Sequence, residues 1–299
     1  MSLPRISVFV PLLLGLGLML AAAGGAAAQD ARAIMERMDT NARAQNDSSF
    51  SVMQLSTCRF GISGGKVKCA SRPTIKVIES ASFNTGPGNR DSKSIAFILE
   101  PAAERGIGML SYIYDSPRKD NETWLYLSAL GKVKRVVASS SDADSEPVSL
   151  FGSEFTTEDQ ETGKLDDYTY RLLDTVTYGG RKAHVIERVP TPARARKTRY
   201  AKTLLWVDAQ RYIMLKAQMY DKRGKEIRRV ITGKVQKING LWVPRSITIM
   251  NLVTNRLSNM NLKELYFGVK IDPELMTRRS LTDKAFRERQ LAALRAQAR

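Results

Sequence analysis

Apolar and polar residues alternate along this chain for more than two hundred residues, and this two-residue period constrains the fold most strongly. The alternation begins near Ser49 and is interrupted by turn sequences such as TGPGN, DSPRKDN and KINGL. Parallel strands would need helical crossovers, and none is visible between these segments. We therefore predict about ten strands in one antiparallel sheet, which at that size curls or closes.

Helical spacing is found on either side of the strand region. Residues 31–43 place Ile34, Met35 and Met38 on one face, which predicts an amphipathic helix that covers the concave side of the sheet. Residues from about 283 to 299 return to helical spacing with many arginines. We interpret this segment as a basic, solvated helical tail, with membrane docking as the alternative.

The first 28 residues predict a secretory signal peptide. Arg5 precedes a long apolar run, and small residues end it just before Gln29. No cysteine lies near this point, so we expect no lipid anchor on the exported chain. Residues 29–299 are then expected to form a single domain.

The charge of the chain limits its partners. The formal net charge is +17, and removal of residues 1–28 takes one of the 47 basic residues and none of the 30 acidic ones. A basic protein favours nucleic acid or anionic surfaces, but export excludes nucleic acid. Anionic membrane headgroups or acidic proteins remain, and the alternative is that the charge only maintains solubility.

Two cysteines, Cys58 and Cys69, have ten residues between them in CRFGISGGKVKC. In an oxidising compartment this predicts a structural disulfide across a hairpin that turns at SGG. A metal site is disfavoured because His184 is the only histidine and has no second ligand nearby.

The sequence lacks the motifs of the common catalytic sites. It contains no nucleophile elbow, zinc-protease motif, P-loop or dinucleotide-binding motif, so we expect no enzyme activity, cofactor or metal. Residues 138–163 nevertheless hold seven acidic residues and no basic one. A carboxylate hydrolase or a calcium loop are alternatives, but we favour a long binding loop.

The ordered motifs PAAERGIGMLSYIYD, TWLYLSALGKVKRV, FGSEFTTED, Tyr200 before WVD, and GLWVP resemble the outer-membrane lipoprotein-sorting protein family, in a LolA-like branch. The resemblance runs from about Pro101 to Leu281. It implies an incomplete, strongly curled antiparallel barrel with helices plugging its concave face. It also implies a periplasmic carrier of lipid or lipoprotein cargo that works with an RND-type inner-membrane exporter.

Three sets of residues are predicted to serve a carrier. The helix of residues 31–43 would be a lid, through Ile34, Met35 and Met38. In the signature loop, Phe151 and Phe155 would anchor the chain on the sheet, while Glu154, Glu158 and Asp159 stay in water or cap the next turn. That loop also contains Gly152 and Ser153. The predicted cavity lining consists of Ile107, Met109, Ile113, Leu125, Leu127, Leu215 and Met219.

Other functions are compatible with the same sequence. Each predicted lining residue could instead be ordinary core, because apolar strand faces usually are. A packed core without a cavity would favour an adaptor of an envelope transport complex that carries nothing.

Overall fold

The computed structural model describes residues 19–45, 47–116, 118–136, 148–160 and 165–298. Residues 1–18 of the predicted signal peptide, and residues 137–147 and 161–164 of the acidic segment, lie outside this description. No helix in the described ranges is both long and apolar enough to cross a bilayer.

Fourteen strands and four α-helices make up the described chain, so the expectation of about ten strands was too low. The strands are β1 (Ser48–Ser63), β2 (Lys66–Cys69), β3 (Thr74–Thr85), β4 (Asp91–Glu100), β5 (Gly108–Ile113), β6 (Glu122–Leu127), β7 (Lys132–Val136), β8 (Tyr168–Tyr178), β9 (Arg181–Pro190), β10 (Lys202–Asp208), β11 (Met214–Tyr220), β12 (Glu226–Ile238), β13 (Leu241–Asn251) and β14 (Arg256–Phe267). The helices are α1 (Met19–Gln45), α2 (Pro192–Ala195), α3 (Arg278–Thr282) and α4 (Lys284–Gln297). Short 3₁₀ helices cover Pro87–Asn89, Ala102–Glu104, Ser128–Leu130, Thr157–Gln160, Leu165–Asp167 and Pro273–Met276.

All strands belong to one unclosed antiparallel sheet, which confirms the predicted curled, incomplete barrel. The strand order is β7-β6-β5-β4-β3-β1-β14-β13-β12-β11-β10-β9-β8, and β2 pairs with β1 alone. Strands β7 and β8 follow one another in the chain but form the two opposite edges of the sheet. The described part of the segment between them, residues 148–160, contacts β3, β12 and β14.

The β1–β2 hairpin carries the predicted disulfide. Cys58 and Cys69 are joined with a Cα–Cα distance of 5.7 Å, and the strands pair from Phe60–Cys69 to Ser63–Lys66. Two glycines form the turn between the strands, as the SGG sequence predicted. The disulfide prediction is confirmed.

Alternation along β4 separates the two faces of the sheet. Ile95 and Phe97 pack in one apolar cluster, whereas Ile98 and the partly buried Ala96 pack in another. We call the face that contains Ile98 the concave face, because α1 and the chain between β7 and β8 lie across it. The opposite face is called the outer face.

The C-terminal helices cover the outer face beside β1 and β3–β6. Leu281, Leu291 and Leu294 are each at most 2% exposed and share a cluster with Phe97 and Leu110. A frayed, solvated tail was therefore the wrong interpretation of residues 283–299. The apolar residues at helical spacing are buried. Arg287 is buried with them, where it donates to the carbonyls of Ser280 and Leu281 and lies over the ring of Phe97.

Ion pairing and capping hold these helices in place. Arg295 of α4 donates to both carboxylate oxygens of the buried Glu79 on β3, at 2.6 and 3.0 Å. Burial raises the pKa of Glu79 even though Arg295 opposes the shift. Asp283 begins α4 by accepting a hydrogen bond from the backbone N–H of Phe286.

Candidate functional site

Residues 148–160, the described part of the chain between β7 and β8, lie on the concave face, and we call them the strap. It folds as a miniature hairpin with a bridge between Ser149 and Thr156. The backbone N–H of Leu150 donates to the carbonyl of Phe155 at 2.8 Å. The strap contains the whole FGSEFTTED motif.

The motif begins with a tight turn. Phe151 and Gly152 both have positive φ, 52° and 72°, and the N–H of Ser153 donates to the carbonyl of Leu150 at 3.0 Å. These are the features of a type I′ turn, for which glycine is favoured at the second central position. The hydroxyl of Ser153 also donates to Leu150 and accepts from the N–H of Phe155. Glycine and serine in this motif therefore shape the turn.

Both phenylalanines of the strap lie against the concave face. Phe151 and Phe155 pack on the cluster of Leu55, Ile78 and Ile98. Phe155 also packs against a second apolar cluster, which contains Ala31, Met35, Tyr170, Ile186, Tyr200, Leu205, Val207, Ala217, Met219, Val230 and Ile249. Phe155 thus connects the apolar surfaces of the two halves of the sheet.

The strap carboxylates do not lie in water, which corrects that part of the prediction. Glu154 pairs with Arg256 at 3.0 Å and accepts from the amide of Asn251 at 3.1 Å. Glu158 pairs with Arg194 at 3.3 Å and accepts from the hydroxyl of Thr198 at 2.6 Å.

Asp159 pairs with Arg228 and also accepts from the backbone N–H of Thr156 at 2.7 Å, so it does cap a turn. The exposed fractions of Glu154, Glu158 and Asp159 are only 13, 15 and 19%. Arginines from three different parts of the fold therefore neutralise the strap.

Arg228 is the most buried of these cations, at 2% exposure. Besides Asp159, it donates to the carbonyl of Glu154 at 2.7 Å and to the hydroxyl of Tyr200 at 3.0 Å. Burial disfavours its charge, but the neighbouring carboxylate outweighs burial and raises the pKa of Arg228. The sequence analysis missed this residue, although alternation in β12 places it on the apolar face.

Helix α1 covers the concave face on the side of β8 and β13, and the predicted helix 31–43 lies within it. Met35 is 2% exposed in the cluster with Ile186 and Leu205, and the partly buried Ile34 and Met38 pack against the same cluster. All three predicted lid residues therefore face the sheet.

The other contacts of α1 are polar and lie at the rim. Asn41 donates to the carbonyl of Arg211 at 3.0 Å, and Gln45 donates to that of Trp242 at 2.8 Å. Asp39 is buried, and its Oδ1 has no hydrogen-bond partner among the described residues. An unpaired buried oxygen of this kind costs about 1–3 kcal/mol.

The predicted lining residues lie on the concave face but do not form one cluster. Met219 is 9% exposed in the cluster of α1, and Ile107 packs near Leu55. Leu215 is buried with Ala183 and Ile213. Met109 is 7% exposed and pairs with Leu125, and both share their face with the half-buried Ile113 and Leu127.

Hydroxyl groups lie between the lining residues, a feature that the sequence analysis did not anticipate. Ser111 and Thr123 are buried beside Met109 and Leu125. Across β1 and β3, hydroxyl pairs form at 2.9 Å between Ser49 and Ser82 and between Ser51 and Ser80. One half of the concave face is thus apolar and the other half is mixed.

Two small cavities lie near the β1–β2 hairpin, with volumes of about 240 and 70 Å³. Both are smaller than the ~300–1,000 Å³ of typical ligand pockets. None of the seven predicted lining residues borders either cavity. In this conformation, α1 and the strap occupy the concave face.

The described residues offer little acid–base or metal chemistry. None of their histidine, cysteine, aspartate and glutamate side chains form a group of three or more that could hold a metal ion. His184 lies 3.0 Å from the hydroxyl of Thr175, and burial lowers its pKa. The strap carboxylates are already paired with arginines. What the arrangement offers is an apolar surface that α1 and the strap cover.

Comparison with known proteins identifies the fold. A crystal structure of a DUF1329 family protein from Desulfovibrio piger superposes with a TM-score of 0.73 at 23% identity, covering 85% of this chain and 99% of that one. A candidate outer membrane lipoprotein-sorting protein domain from Vibrio parahaemolyticus gives a TM-score of 0.72 at 19% identity, covering 85 and 99%. A LolA superfamily protein from Nitrosomonas europaea gives 0.58 at 18% identity, covering 83 and 97%.

These similarities confirm the resemblance to the lipoprotein-sorting and LolA-like proteins at the level of the fold. A search of curated proteins finds no match. A family model with the description "Uncharacterized protein" matches residues 90–283, well over half of the chain. The chain therefore belongs to the DUF1329-like family.

Proposed function

We propose that this protein is a periplasmic, non-enzymatic carrier that holds a lipid or the acyl chain of a lipoprotein on its concave face. It would act after removal of residues 1–28, without a lipid anchor, and move its cargo between inner and outer membrane. An RND-type inner-membrane transporter would be its partner. The observation that carries the proposal is the apolar concave surface beneath α1, where Met35 packs on Ile186 and Leu205.

Helix α1, and not the strap, is the part that would move. The strap is fixed by buried ion pairs such as Arg228–Asp159, and breaking one of these is costly. Helix α1 has a partly buried ion pair to the rest of the protein, Arg43–Asp115 at 3.1 Å, and rim contacts such as Asn41 to Arg211. Asp39 pairs with Arg43 within the helix, and its Oδ1 has no partner among the described residues. Its buried methionine has a flexible side chain that suits variable apolar cargo.

Cargo entry requires this movement because Met35 of α1 packs on the apolar cluster of the concave face that would hold the cargo. The structure then corresponds to the closed carrier. Displacing α1 would uncover the cluster that contains Leu205, Ala217 and Met219. The similarity of the fold to a lipoprotein-sorting domain supports this proposal.

A tether on α1 tests the proposal. The Asn41 side chain donates to the backbone carbonyl of Arg211 at 3.0 Å, so a short thiol cross-linker is expected to join the two cysteines of the double variant Asn41→Cys/Arg211→Cys and to fix the helix to the sheet. Uptake of a fluorescent fatty acid by delipidated protein is measured for wild type, both single variants and the double variant. We expect uptake in the first three and a loss of at least about tenfold in the tethered protein. Mass mapping confirms the cross-link and the native Cys58–Cys69 bond.

Native mass spectrometry of the protein purified from periplasm provides the second measurement. Co-purified lipid would identify the cargo class. If wild-type protein carries no lipid and takes up no fatty acid, the carrier function is wrong. Equal uptake by the tethered and untethered proteins would instead refute the role of α1 as the lid.

An adaptor function is the second candidate, and the packing of α1 and the strap on the apolar clusters of the concave face favours it. In an adaptor the concave face would stay closed, and the basic surface would contact an envelope partner or anionic membrane headgroups. Cross-linking in membranes, with the tethered variant as the probe, separates the two functions. If the protein is an adaptor, the tethered variant should cross-link to the same partners as wild type. If it is a carrier, the tethered variant should no longer take up cargo.

A further inference from the structure

The two cavities near the disulfide hairpin form a small site with a distinct chemistry. The larger one, of about 240 Å³, is bordered by three arginines and three hydroxyl residues, which are Arg59, Arg72, Arg256, Thr57, Ser71 and Thr74. The smaller one, of about 70 Å³, shares Thr57, Thr74 and Arg256 with it. Because they share this wall, the two cavities adjoin.

The larger cavity has an excess of positive charge. Arg59 on β1 lies directly opposite Arg256 on β14 in the strand register, and like charges in this position repel each other. Arg256 is partly neutralised by Glu154, 3.0 Å away. Within the described part of the chain, neither Arg59 nor Arg72 has an acidic partner. The wall of the larger cavity therefore carries three arginines, of which Arg256 is paired with a carboxylate.

The smaller cavity leads from these arginines toward apolar surface. Its wall includes Leu55, which packs with Ile78 and Ile98 beneath the strap. Gly152 of the strap and Lys76 of β3 complete the wall, and Lys76 is already paired with Glu104 at 2.5 Å. A polar group in the larger cavity would thus have an apolar continuation directed at the concave face.

We propose that this site, the hairpin pocket, binds a phosphate group, which several arginines recognise through paired hydrogen bonds. The hydroxyl group of Ser71 adds a further donor. A volume of about 240 Å³ is below that of whole-ligand pockets and suits a headgroup. The inference rests on the proposed function and deepens it, since it makes the cargo a phosphate-bearing amphiphile whose chain extends from the hairpin pocket along the concave face toward the surface covered by α1.

Calorimetric titration at fixed ionic strength tests the hairpin pocket with three probes. They are dihexanoyl phosphatidic acid, dihexanoylglycerol, which lacks the phosphate, and inorganic phosphate. The pocket variant is Arg59→Gln/Arg72→Gln, in which both residues are exposed, so the fold is expected to persist. The control is Lys66→Gln/Lys68→Gln, which removes the same charge from exposed positions on the same hairpin.

The expected result is that wild type and control bind phosphatidic acid alike, while the pocket variant binds it about tenfold or more weakly. Stronger binding of phosphatidic acid than of inorganic phosphate identifies a lipid headgroup as the source, and equal binding identifies a free phosphate compound. Absence of phosphate-dependent binding in wild type, or equal losses in both double variants, would overturn the inference. Phosphate binding through Arg59 and Arg72 without fatty-acid uptake would overturn only the carrier proposal.

Discussion

At the level of single residues, the strap is held by complementary charges from distant parts of the chain. Glu154, Glu158 and Asp159 come from one acidic stretch, whereas Arg194, Arg228 and Arg256 come from α2, β12 and β14. An acidic segment in a basic chain could be recognised from sequence. Its partners could not, because strand alternation alone does not show which arginine a crossing segment will meet.

Replacement of Arg228 by methionine tests this arrangement. The change leaves Asp159 and the hydroxyl of Tyr200 without their buried partner, and loss of one member of a buried pair costs about 3–5 kcal/mol. We expect the free energy of unfolding, measured with urea, to fall by that amount.

Arg229 provides the matched control, because it is adjacent in sequence but belongs to the other face of β12. It pairs with Glu226 at 2.7 Å and is 34% exposed. Arg229→Met should cost at most about 1 kcal/mol. If both variants lose a similar free energy of unfolding, burial of the Arg228–Asp159 pair does not explain its contribution to stability.

Asp208 gives the protein a predictable response to acid. Burial raises the pKa of Asp208. Hydrogen bonds from Arg181 and from the backbone N–H groups of Arg211 and Gln210 lower this pKa by a larger amount, so the net shift is downward. A carboxyl group whose pKa is lowered by folding stabilises the protein at pH values above its usual pKa of about 4. This stabilisation is lost as the pH falls through the folded-state pKa.

We therefore expect Asp208→Asn to be less stable than wild type at pH 7 and to converge with it as the pH falls below about 4. Urea unfolding across a pH series measures this convergence. Asp120→Asn, at a position 77% exposed, should differ little from wild type at any pH. A difference for Asp208→Asn that persists or grows in acid would contradict the prediction.

At the level of secondary-structure elements, local features were predictable and packing partners were not. The β1–β2 hairpin follows from the two glycines and the cysteine spacing, all of which act over a few residues. Helix α4 was also recognisable from the spacing of Phe286, Leu291 and Leu294. Its burial depends on strands almost two hundred residues earlier, so a solvated tail seemed equally compatible with the same pattern.

The turn of the strap offers an element-scale prediction. Gly152 has φ of 72°, and an added Cβ would meet only Lys76 Nζ at 3.8 Å, so the cost of alanine there is conformational. We expect Gly152→Ala to lower the free energy of unfolding by about 1–2 kcal/mol, measured with urea.

Gly61 of β1 is the matched control, because its φ is not in the left-handed region and a Cβ would meet nothing within 4 Å. Gly61→Ala should be neutral or slightly stabilising. If Gly152→Ala is equally harmless, the type I′ turn does not constrain the strap.

At the level of the whole molecule, each end of the chain packs on strands from the other half. Helix α1 packs on Ile186 and Leu205 of β9 and β10, while α4 packs on Phe97 and Leu110 of β4 and β5. Strands β1 and β14 also pair in the middle of the sheet. This exchange cannot be inferred from alternation, which fixes a face of each strand but not its neighbour.

Such an exchange predicts that the two halves unfold together, as expected for a single domain formed by residues 29–299. Leu291→Ala removes a side chain that is 1% exposed from the outer face, at a cost of about 2–5 kcal/mol. Trp124 reports on that cluster, while Trp206 and Trp242 pack in the other half. One variant keeps only Trp124 and another keeps only Trp206 and Trp242. The tryptophan fluorescence of each variant gives the urea midpoint of the corresponding half.

We expect Leu291→Ala to lower both midpoints equally, because separating either half exposes the surface on which the opposite terminus packs. Leu130→Ala, at a position 64% exposed, should change the free energy of unfolding by no more than about 0.5 kcal/mol, whichever tryptophans report it. A lower midpoint for Trp124 alone would show that the halves are independent folding units. The carrier proposal requires only local release of α1, and joint unfolding of the sheet would provide the rigid frame against which that helix moves.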